Sequence, residues 1–358
     1  MKPHSTASLQ ATNFSAIRRK LLIWYQKNQR DLPWRKTSDP YAIWISETML
    51  QQTQVKTVLR YYQRFLDRFP DVETLARAPL QRVLHLWSGL GYYRRAIYLR
   101  TAARQIMRDH KGRLPQDYRQ LRALVGVGDY TAGALLSIAF NKNYPAIDGN
   151  VRRVLERLWL ITGTAPIRAA ASKLAAGNSP GDLNQALMEL GATLCGPRVP
   201  DCDACPLKRE CASCALRRMP ISPRAAQRAK LRNVTWPLAI VRSRRKILLR
   251  QRNPGELLAR LWELPGGEVA RLSEAARALR RELVDLAPGR GRRIGEIRHS
   301  ITDRRIFAPI YLFNCADYRD AAKARGRWVQ PRHAERYSIS AMTKKALAVF
   351  AAHETHSA

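Results

Sequence analysis

A chain of 358 residues is long enough for two or three domains, because a single core rarely grows beyond about 250 residues. With 46% hydrophobic and 25% charged residues, its composition is that of a soluble globular protein and excludes wholesale disorder or a fibrous fold. The 63 Lys and Arg against 28 Asp and Glu give a formal charge of +35, which points to a polyanionic partner, foremost a nucleic acid.

A membrane surface is the rival partner for so much positive charge, but the longest apolar runs are short and interrupted. Met1–Thr12 has no hydrophobic segment of the length that a signal peptide needs. We therefore expect a cytoplasmic, nucleoid-associated monomer with no membrane partner.

The N-terminal part of the chain has a helical pattern. After a tail over residues 1–13, apolar residues recur at helical spacing, as in Phe14, Ile17, Leu21 and Trp24. Gly and Pro interrupt similar runs up to about residue 192. The pattern predicts a mostly α domain over residues 14–214, followed by an Arg-, Ala- and Pro-rich linker over residues 215–234.

The C-terminal part changes to short β-like runs. These are Leu238–Val241, Lys246–Arg250 and Ile306–Phe313, and helices are predicted at about residues 273–286 and near the C-terminus. We predict a separate α+β domain over residues 235–350 and a C-terminal tail over residues 351–358.

Four cysteines lie within the loop of residues 195–211. They are separated by six, two and five residues, a spacing that lets four thiolates point at one centre: Cys195, Cys202, Cys205 and Cys211. Both an iron–sulfur cluster and structural zinc accept four such ligands, so the spacing leaves both open. Cys214 and Cys315 are interpreted as ordinary small side chains outside this set.

A glycine hairpin precedes an apolar helix. Gly126, Val127 and Gly128 form a Gly-x-Gly turn, whose exposed backbone N–H groups at a helix start can bind a phosphate. A plain turn between helices explains the same pattern equally well.

Two carboxylates stand out in the sequence, one before and one after this hairpin. Glu47 lies in an apolar or neutral helical stretch, where burial would raise the pKa of its carboxyl and make it a proton donor near neutral pH. Asp148 follows the helix of the hairpin at a predicted N-cap, so capping and catalysis are both open for it.

Together these segments resemble the helix–hairpin–helix DNA glycosylase superfamily, and within it the MutY type of adenine glycosylase. The resemblance covers nearly the whole chain. Its motifs are Leu32-Pro-Trp-Arg35, Trp44–Gln54, Leu84–Tyr93, the hairpin, Ile147–Val154, Asn184–Gly191 and the four cysteines.

The resemblance implies a fold and a reaction. The fold is an all-α helix–hairpin–helix glycosylase domain with a [4Fe–4S] cluster on the four cysteines, followed by an α+β Nudix-like domain. The reaction is excision of adenine from double-stranded DNA carrying A:8-oxoguanine or A:G mispairs, in base excision repair. Glu47 is then the general acid, and Asp148, helped by Tyr130 and Asn150, stabilises the sugar cation.

Tyr130 separates this chain from the endonuclease III-like branch, which has a lysine at the corresponding position. A phenol cannot form the Schiff base that strand cleavage needs, so we expect a monofunctional enzyme. An endonuclease III-like lyase and a zinc-bearing DNA-binding protein without activity are the rival hypotheses. The resemblance also implies an adenine pocket, lined by Trp34, Arg35, Leu50 and Glu189.

Gln52 and Tyr92 match the residues that the family inserts into DNA when a base is flipped out. On residue type alone, Tyr92 would be assigned to the core.

The C-terminal segments Trp262–Gly267 and Arg281-Glu-Leu283 resemble a Nudix fold without the further glutamates that hydrolysis needs. The family's 8-oxoguanine loop corresponds to Ser300, Ile301 and Thr302. Many members have Phe-Ser-His where this chain has Ile301-Thr302-Asp303, so the aromatic ring and the imidazole are missing.

Overall fold

The structure, a computed structural model, describes residues 12–217, 231–286, 289–301, 303–315 and 326–357, except for the side chains of residues 356 and 357. Its backbone contacts divide the chain into two units. The first comprises Met1–Arg77 with Tyr98–Arg228, and the second comprises Ala78–Ile97 with Ala229–Ala358. The sequence pattern predicted the helices around residue 90 but carried no sign that they pack with the C-terminal unit.

Residues 12–217 are helical, as the periodicity predicts. The helices are α1 Phe14–Asn28, α2 Pro40–Leu50, α3 Val55–Arg68, α4 Val72–Arg77, α5 Leu80–Trp87, α6 Arg94–Asp109, α7 Tyr118–Ala123, α8 Asp129–Ala134, α9 Gly149–Trp159, α10 Thr164–Ala175, α11 Pro180–Thr193 and α12 Ala212–Ala215. A 3₁₀ turn covers Pro33–Arg35, and a π-helical segment over Leu135–Ala139 continues α8.

One apolar core joins α1, α9, α10 and α11. Leu21, Leu155, Leu174 and Leu187 are among its buried members. At the start of α1 the Asn13 side chain accepts a hydrogen bond from the backbone N–H of Ala16, which caps the helix. Three of the four clustered cysteines pack against this core, so the cysteine loop is anchored on the same helices.

Helix α2 is apolar on every side and is buried from Tyr41 to Met49. Such a helix belongs to the interior of a domain rather than to its surface. The Asp39 carboxylate caps it by accepting hydrogen bonds from the N–H groups of Tyr41 and Ala42. Glu47 is the one carboxylate in this helix, and the fold therefore places it in the interior.

The segment between the π-helical turn and α9 is held by one buried amide. Asn184 of α11 accepts a hydrogen bond from the Ala146 N–H at 3.1 Å and donates to the Tyr144 carbonyl at 2.8 Å. Gly133 lets the same segment approach α8, because a Cβ there would lie 2.2 Å from the Pro145 carbonyl oxygen. These contacts fix the backbone that leads into Asp148.

The described residues of the second unit contain a mixed seven-stranded sheet. Its strands are β1 Arg232–Thr235, β2 Leu238–Ser243, β3 Lys246–Gln251, β4 Trp262–Glu263, β5 Arg292–Ile301, β6 Arg304–Asn314 and β7 Gly326–Val329. The sheet path runs β1-β6-β2-β3-β4, with β5 on β6 and β7 on β3; only β1 and β2 lie parallel to β6.

A helix covers each face of this sheet. The helix α13, Ala275–Glu282, contributes Leu279 to the core on one face, and α14, Ala341–Ser357, contributes Phe350 to the core on the other. Alternate residues of β2 serve the two cores, with Ile240 facing α14 and Val241 facing α13. Burial of both faces explains why β2 and β3 have nearly continuous apolar sequences.

The three predicted strands are confirmed, each one to three residues longer than its apolar run. The predicted linker is too long, because Arg232–Thr235 pair with β6 as strand β1. The predicted C-terminal tail from residue 351 is also wrong, because α14 continues as a helix to Ser357. Strand β5 was missed because its sequence is arginine-rich and has only Ile297 buried, which leaves no clear alternation.

We expect Gly133→Ala to lower the free energy of unfolding by about 1–3 kcal/mol, because the added methyl would force the Pro145 backbone away. Urea unfolding of the full chain measures this loss. Gly149→Ala is the matched control, since a Cβ at residue 149 meets nothing within 4 Å. Equal stability of the two variants would contradict the tight contact.

Candidate active site and cysteine cavity

Glu47 and Tyr130 form a buried carboxyl–phenol pair. The Tyr130 hydroxyl of α8 donates a hydrogen bond to Glu47 Oε2 at 2.6 Å, and Glu47 is only 5% exposed. On its other side, the same hydroxyl lies 3.6 Å from Met188 Sδ of α11. The carboxyl thus has one short, fixed partner in otherwise apolar surroundings.

The pKa of Glu47 is raised to about 7, mainly by burial, and the negative charge of Asp148 contributes to the rise. The hydrogen bond from Tyr130 and the charge of Arg35 act in the opposite direction but do not cancel the effect of burial. The pKa of Tyr130 is raised well above its ordinary value, mainly by burial and by the charge of Glu47, so its hydroxyl stays protonated. Glu47 can therefore hold and release a proton near neutral pH.

Asp148 caps α9, which confirms the predicted N-cap. Its Oδ1 accepts a hydrogen bond from the Val151 N–H at 2.7 Å, and its Oδ2 accepts one from Asn150 Nδ2 at 3.0 Å. Burial raises the pKa of Asp148, and these hydrogen bonds partly offset the rise. Capping orients the carboxylate and does not exclude a chemical role, because its charge still acts on Glu47.

Arg153 connects this carboxylate to the cysteine loop. Its guanidinium donates to Asn150 Oδ1 at 2.8 Å, to the Gly191 carbonyl at 2.7 Å and to the Cys195 carbonyl at 2.8 Å. Gly191 permits this packing, because a Cβ there would lie 2.7 Å from Asn150 Cβ. Sequence analysis missed Arg153; its position three residues after Asn150, on the same helix face, was the available signal.

Glu189 is fully buried and binds two arginines. Arg30 donates to both of its carboxylate oxygens at 2.7 Å, and Arg35 donates to Oε2 at 2.7 Å. Burial alone would raise the pKa of Glu189, but the hydrogen bonds from Arg30 and Arg35 lower it to about 2. The predicted pocket residues Arg35 and Glu189 are therefore in contact, while Arg30 was missed.

The other two predicted pocket residues lie on the adjoining segments. Trp34 is buried in the 3₁₀ turn before Arg35 and packs edge-on against Tyr62, with ring centroids 5.3 Å apart. Leu50 is half-buried at the last position of α2, three residues after Glu47. The role of these residues as an adenine pocket stays a prediction.

The hairpin has the geometry of a tight turn that opens a helix. Gly126 adopts a φ of +80°, and a Cβ there would lie 2.8 Å from Tyr98 Cβ. Gly128 is the N-cap of α8, and no side chain caps that helix. Beyond it, Asp129 binds both Arg122 and Arg168, at 2.7 and 2.8 Å, which places two further cations beside the hairpin.

Both predicted wedge residues have strained backbones. Gln52, just after α2, is exposed with a φ of +59°, and Tyr92 has a φ of +47° and is 47% exposed. Residues other than glycine rarely adopt positive φ, and such strain tends to mark functional positions. The structure thus excludes the alternative interpretation of Tyr92 as a core residue.

The clustered cysteines line one small cavity of about 30 Å³. Arg157 also lines it, and its guanidinium donates to Cys195 Sγ at 3.3 Å and to the Gly196 carbonyl at 2.7 Å. Among the described residues, no three His, Cys, Asp or Glu side chains converge closely enough to hold a single metal ion. The thiols surround a space instead of meeting at a point.

Cys214 also lines this cavity, which corrects its interpretation as an unrelated small side chain. Spacing alone did not place it there, because the predicted set was already complete with four thiols. Cys315 lies in the second unit, where its thiol contacts the Leu286 carbonyl at 3.1 Å.

In the second unit, arginines neutralise the glutamates of the Nudix-like segments. Glu263 binds Arg252 Nε at 2.5 Å, and Glu282 binds Arg250 at 2.7 Å. Burial raises the pKa of Glu263 to about 7, although the charge of Arg252 opposes the rise. Carboxylates whose charge is already neutralised by a paired arginine are poor ligands for a divalent cation.

Of the predicted lesion-recognition residues, Ser300 is exposed and Ile301 is half-buried, and both end strand β5. Thr302 lies outside the described residues.

Two family models match the chain. Residues 45–176 match the HhH-GPD superfamily of base excision DNA repair proteins, and residues 238–349 match the NUDIX domain. The adenine DNA glycosylase of Rattus norvegicus is 45% identical over 214 residues, which are 55% of this chain and 41% of that protein. That of Arabidopsis thaliana is 37% identical over 317 residues, 75% of this chain and 50% of that protein.

Solved structures agree on the helical fold. A thermostable thymine-DNA glycosylase has a TM-score of 0.54 and 28% identity, covering 57% of this chain and 97% of the other. An endonuclease III in a trapped DNA complex has a TM-score of 0.50 and 21% identity over 57% of this chain and 99% of the other, a likeness of fold alone.

The chain therefore combines a helix–hairpin–helix domain of the base excision DNA repair superfamily with a C-terminal Nudix-like domain. The relatives that match the chain are adenine DNA glycosylases, the type of protein that its sequence motifs resemble. The chain spans about half the length of the curated relatives it matches. No helix in the described part of the chain has the length and apolar character needed to cross a membrane.

We expect Glu47→Gln to stabilise the protein in a pH-dependent way. Because burial raises the pKa of Glu47 from 4.5 to about 7, its ionisation destabilises the folded state increasingly between these values and fully above pH 7. The gain from Glu47→Gln should be near zero at pH 4.5 and about 3 kcal/mol at pH 8. Urea unfolding at both pH values measures it.

Glu73→Gln is the control, since Glu73 is exposed and pairs with Arg77. Its difference from wild type should change little over the same range. A Glu47→Gln gain that is equal at both pH values would contradict the raised pKa.

Proposed function

We propose that this protein is a monofunctional adenine DNA glycosylase that excises adenine opposite 8-oxoguanine or guanine in base excision repair. The observation that carries the proposal is the buried Glu47 carboxyl, hydrogen-bonded by Tyr130, with the capped Asp148 close enough to act on its pKa. A proton donor and a fixed carboxylate are the two groups that cleavage of a glycosidic bond requires.

In the proposed reaction, Glu47 gives its proton to N7 of the flipped adenine. The bond between the base nitrogen and the sugar then breaks, and its electron pair leaves with the neutral adenine. Asp148, oriented by Asn150 and Val151, stabilises the positive charge on the sugar. Water adds to the sugar carbon and loses a proton to a carboxylate, which leaves an abasic site.

Tyr130 limits the reaction to base removal. Its phenol is neutral and carries no amine, so it cannot attack the sugar to form the Schiff base of a lyase. In our proposal it holds the carboxyl of Glu47 in place, a role that the 2.6 Å hydrogen bond supports.

Duplex DNA is the proposed partner, bound by a monomer in the cytoplasm. The charge of +35, the hairpin at residues 126–128 and the strained residues Gln52 and Tyr92 support binding to phosphates and insertion into the base stack. The Nudix-like unit is proposed to read the opposite base through Ser300, Ile301 and Thr302. Arginine pairing of Glu263 and Glu282 argues against nucleotide hydrolysis there.

A [4Fe–4S] cluster is the proposed cofactor of the cysteine cavity, with Cys195, Cys202, Cys205 and Cys211 as its ligands. The support for this proposal is that all four thiols line one cavity, at the spacing that the resemblance associates with a cluster. When bound, the cluster supplies a structural crosslink between the loop and the helical core. Arg157 donates a hydrogen bond to the thiol of Cys195, and Arg153 donates to its carbonyl and to Asn150 Oδ1. Arg153 therefore joins this loop to Asn150.

The test is cleavage of duplexes that carry A opposite 8-oxoguanine, G or T, analysed with and without alkali. We expect adenine release opposite 8-oxoguanine and G, with strand breaks only after alkali. Borohydride should trap no covalent adduct. Breaks without alkali together with a trapped adduct would favour an endonuclease III-like lyase, and equal excision opposite T would contradict the proposed mispair specificity.

We expect Glu47→Gln to lower the single-turnover rate of excision at least about 100-fold, because the variant keeps the shape of the side chain but lacks the proton donor. Duplex affinity, measured by fluorescence anisotropy, should stay near that of wild type. Glu73→Gln should retain both rate and affinity. Substantial excision by Glu47→Gln would refute the assigned acid.

A further inference from the structure

The cysteine cavity contains five thiols, one more than a tetrathiolate site uses. Cys214 lines it together with Cys195, Cys202, Cys205 and Cys211. It lies on the short helix α12, whose N-cap is Cys211. The start of this helix therefore places both Cys211 and Cys214 on the cavity.

The four predicted ligands are not anchored equally. Cys195, Cys205 and Cys211 pack against the apolar core of α1, α9, α10 and α11, whereas Cys202 does not. Cys202 instead lies between the exposed residues Asp201 and Asp203. Of the four ligand positions, that of Cys202 is held least by packing.

Cys214 lies beside this weakly held position. The thiols of Cys214 and Cys202 line the same small cavity, and the two side chains are close enough to interact electrostatically. Arg157 and Lys208 line the same cavity, so positive charge is available to a thiolate on either cysteine. If the loop that carries Cys202 moved slightly, Cys214 would be the thiol nearest to the ligand position that Cys202 had left.

We propose that Cys214 is a reserve ligand, which binds the iron of the proposed [4Fe–4S] cluster when Cys202 is displaced or lost. The inference rests on the cluster assigned under the proposed function. The exchange involves no oxidation: Cys214 loses a proton as its sulfur binds iron, and the departing Cys202 thiolate takes up a proton.

The test compares iron content and visible absorption of full-length variants. We expect Cys202→Ala to keep more than about half of the wild-type iron, and Cys202→Ala/Cys214→Ala to keep less than about a tenth. Cys205→Ala is the matched control and should lose its iron with or without Cys214, because Cys214 lies beside Cys202. Equal loss of iron by Cys202→Ala and the double variant would overturn the proposal.

A second measurement leaves every predicted ligand in place. Wild type and Cys214→Ala are treated with a strong iron chelator, and the decay of visible absorption is followed. We expect Cys214→Ala to lose iron at least about threefold faster, since a loosened Cys202 has no substitute, and Cys315→Ala to match wild type. Equal decay rates for wild type and Cys214→Ala would overturn the proposal.

The metal content of the purified wild-type protein distinguishes failure of the reserve-ligand proposal from failure of the cluster assignment. If the wild type contains iron but the Cys214→Ala change has no effect in either assay, the reserve ligand is overturned and the cluster assignment stands. Zinc in place of iron would overturn both, while the excision assay would still test the glycosylase independently.

Discussion

Burial of the Glu47 carboxyl is the constraint on which the rest of the helical domain depends. A carboxyl in an apolar interior is costly unless a partner stabilises it, and here one phenol provides a hydrogen bond at 2.6 Å without supplying a charge. The pKa of Glu47 therefore settles at about 7 instead of returning to its ordinary range. Maintaining this state requires helix α2 to be enclosed on all sides and α8 to present Tyr130 at the right position.

The second carboxylate depends on contacts that reach much further along the chain. Asp148 is placed by the cap of α9, by the amide of Asn184 on α11 and by the guanidinium of Arg153, which also binds the carbonyl of Cys195. Asn150 joins these contacts, since it donates to Asp148 and accepts from Arg153. The cysteine loop thus lies two hydrogen-bonded side chains away from a catalytic candidate, which gives the proposed cluster a structural reason to lie where it does.

The sequence predicted those features that depend on residues close to one another in the chain. The apolar surroundings of Glu47, the N-cap at Asp148 and the apolar runs of β2, β3 and β6 could all be read within a few residues. Arg30 could not, because its partner Glu189 lies 159 residues away. For Arg153 the only local signal was Asn150, since its other partners Gly191 and Cys195 lie 38 and 42 residues away. Cys214 escaped for a related reason: spacing predicts which thiols can form a set of four, but only the fold shows which thiols share a cavity.

Glu47 and Glu189 show how partners divide the work between two buried carboxyls of one domain. Two arginines hold the pKa of Glu189 at about 2 against the effect of burial, so this group stays ionised at every physiological pH. Among the described residues, Glu47 accepts its hydrogen bond from a phenol, and Arg35 acts on it through its charge, which leaves its pKa near 7. Because Arg35 forms an ion pair with Glu189, the negative charge of Glu189 weakens the electrostatic effect of Arg35 on Glu47. The ion pairs of Glu189 therefore help to keep Glu47 protonated, and they make it the carboxyl of the two that can act as an acid.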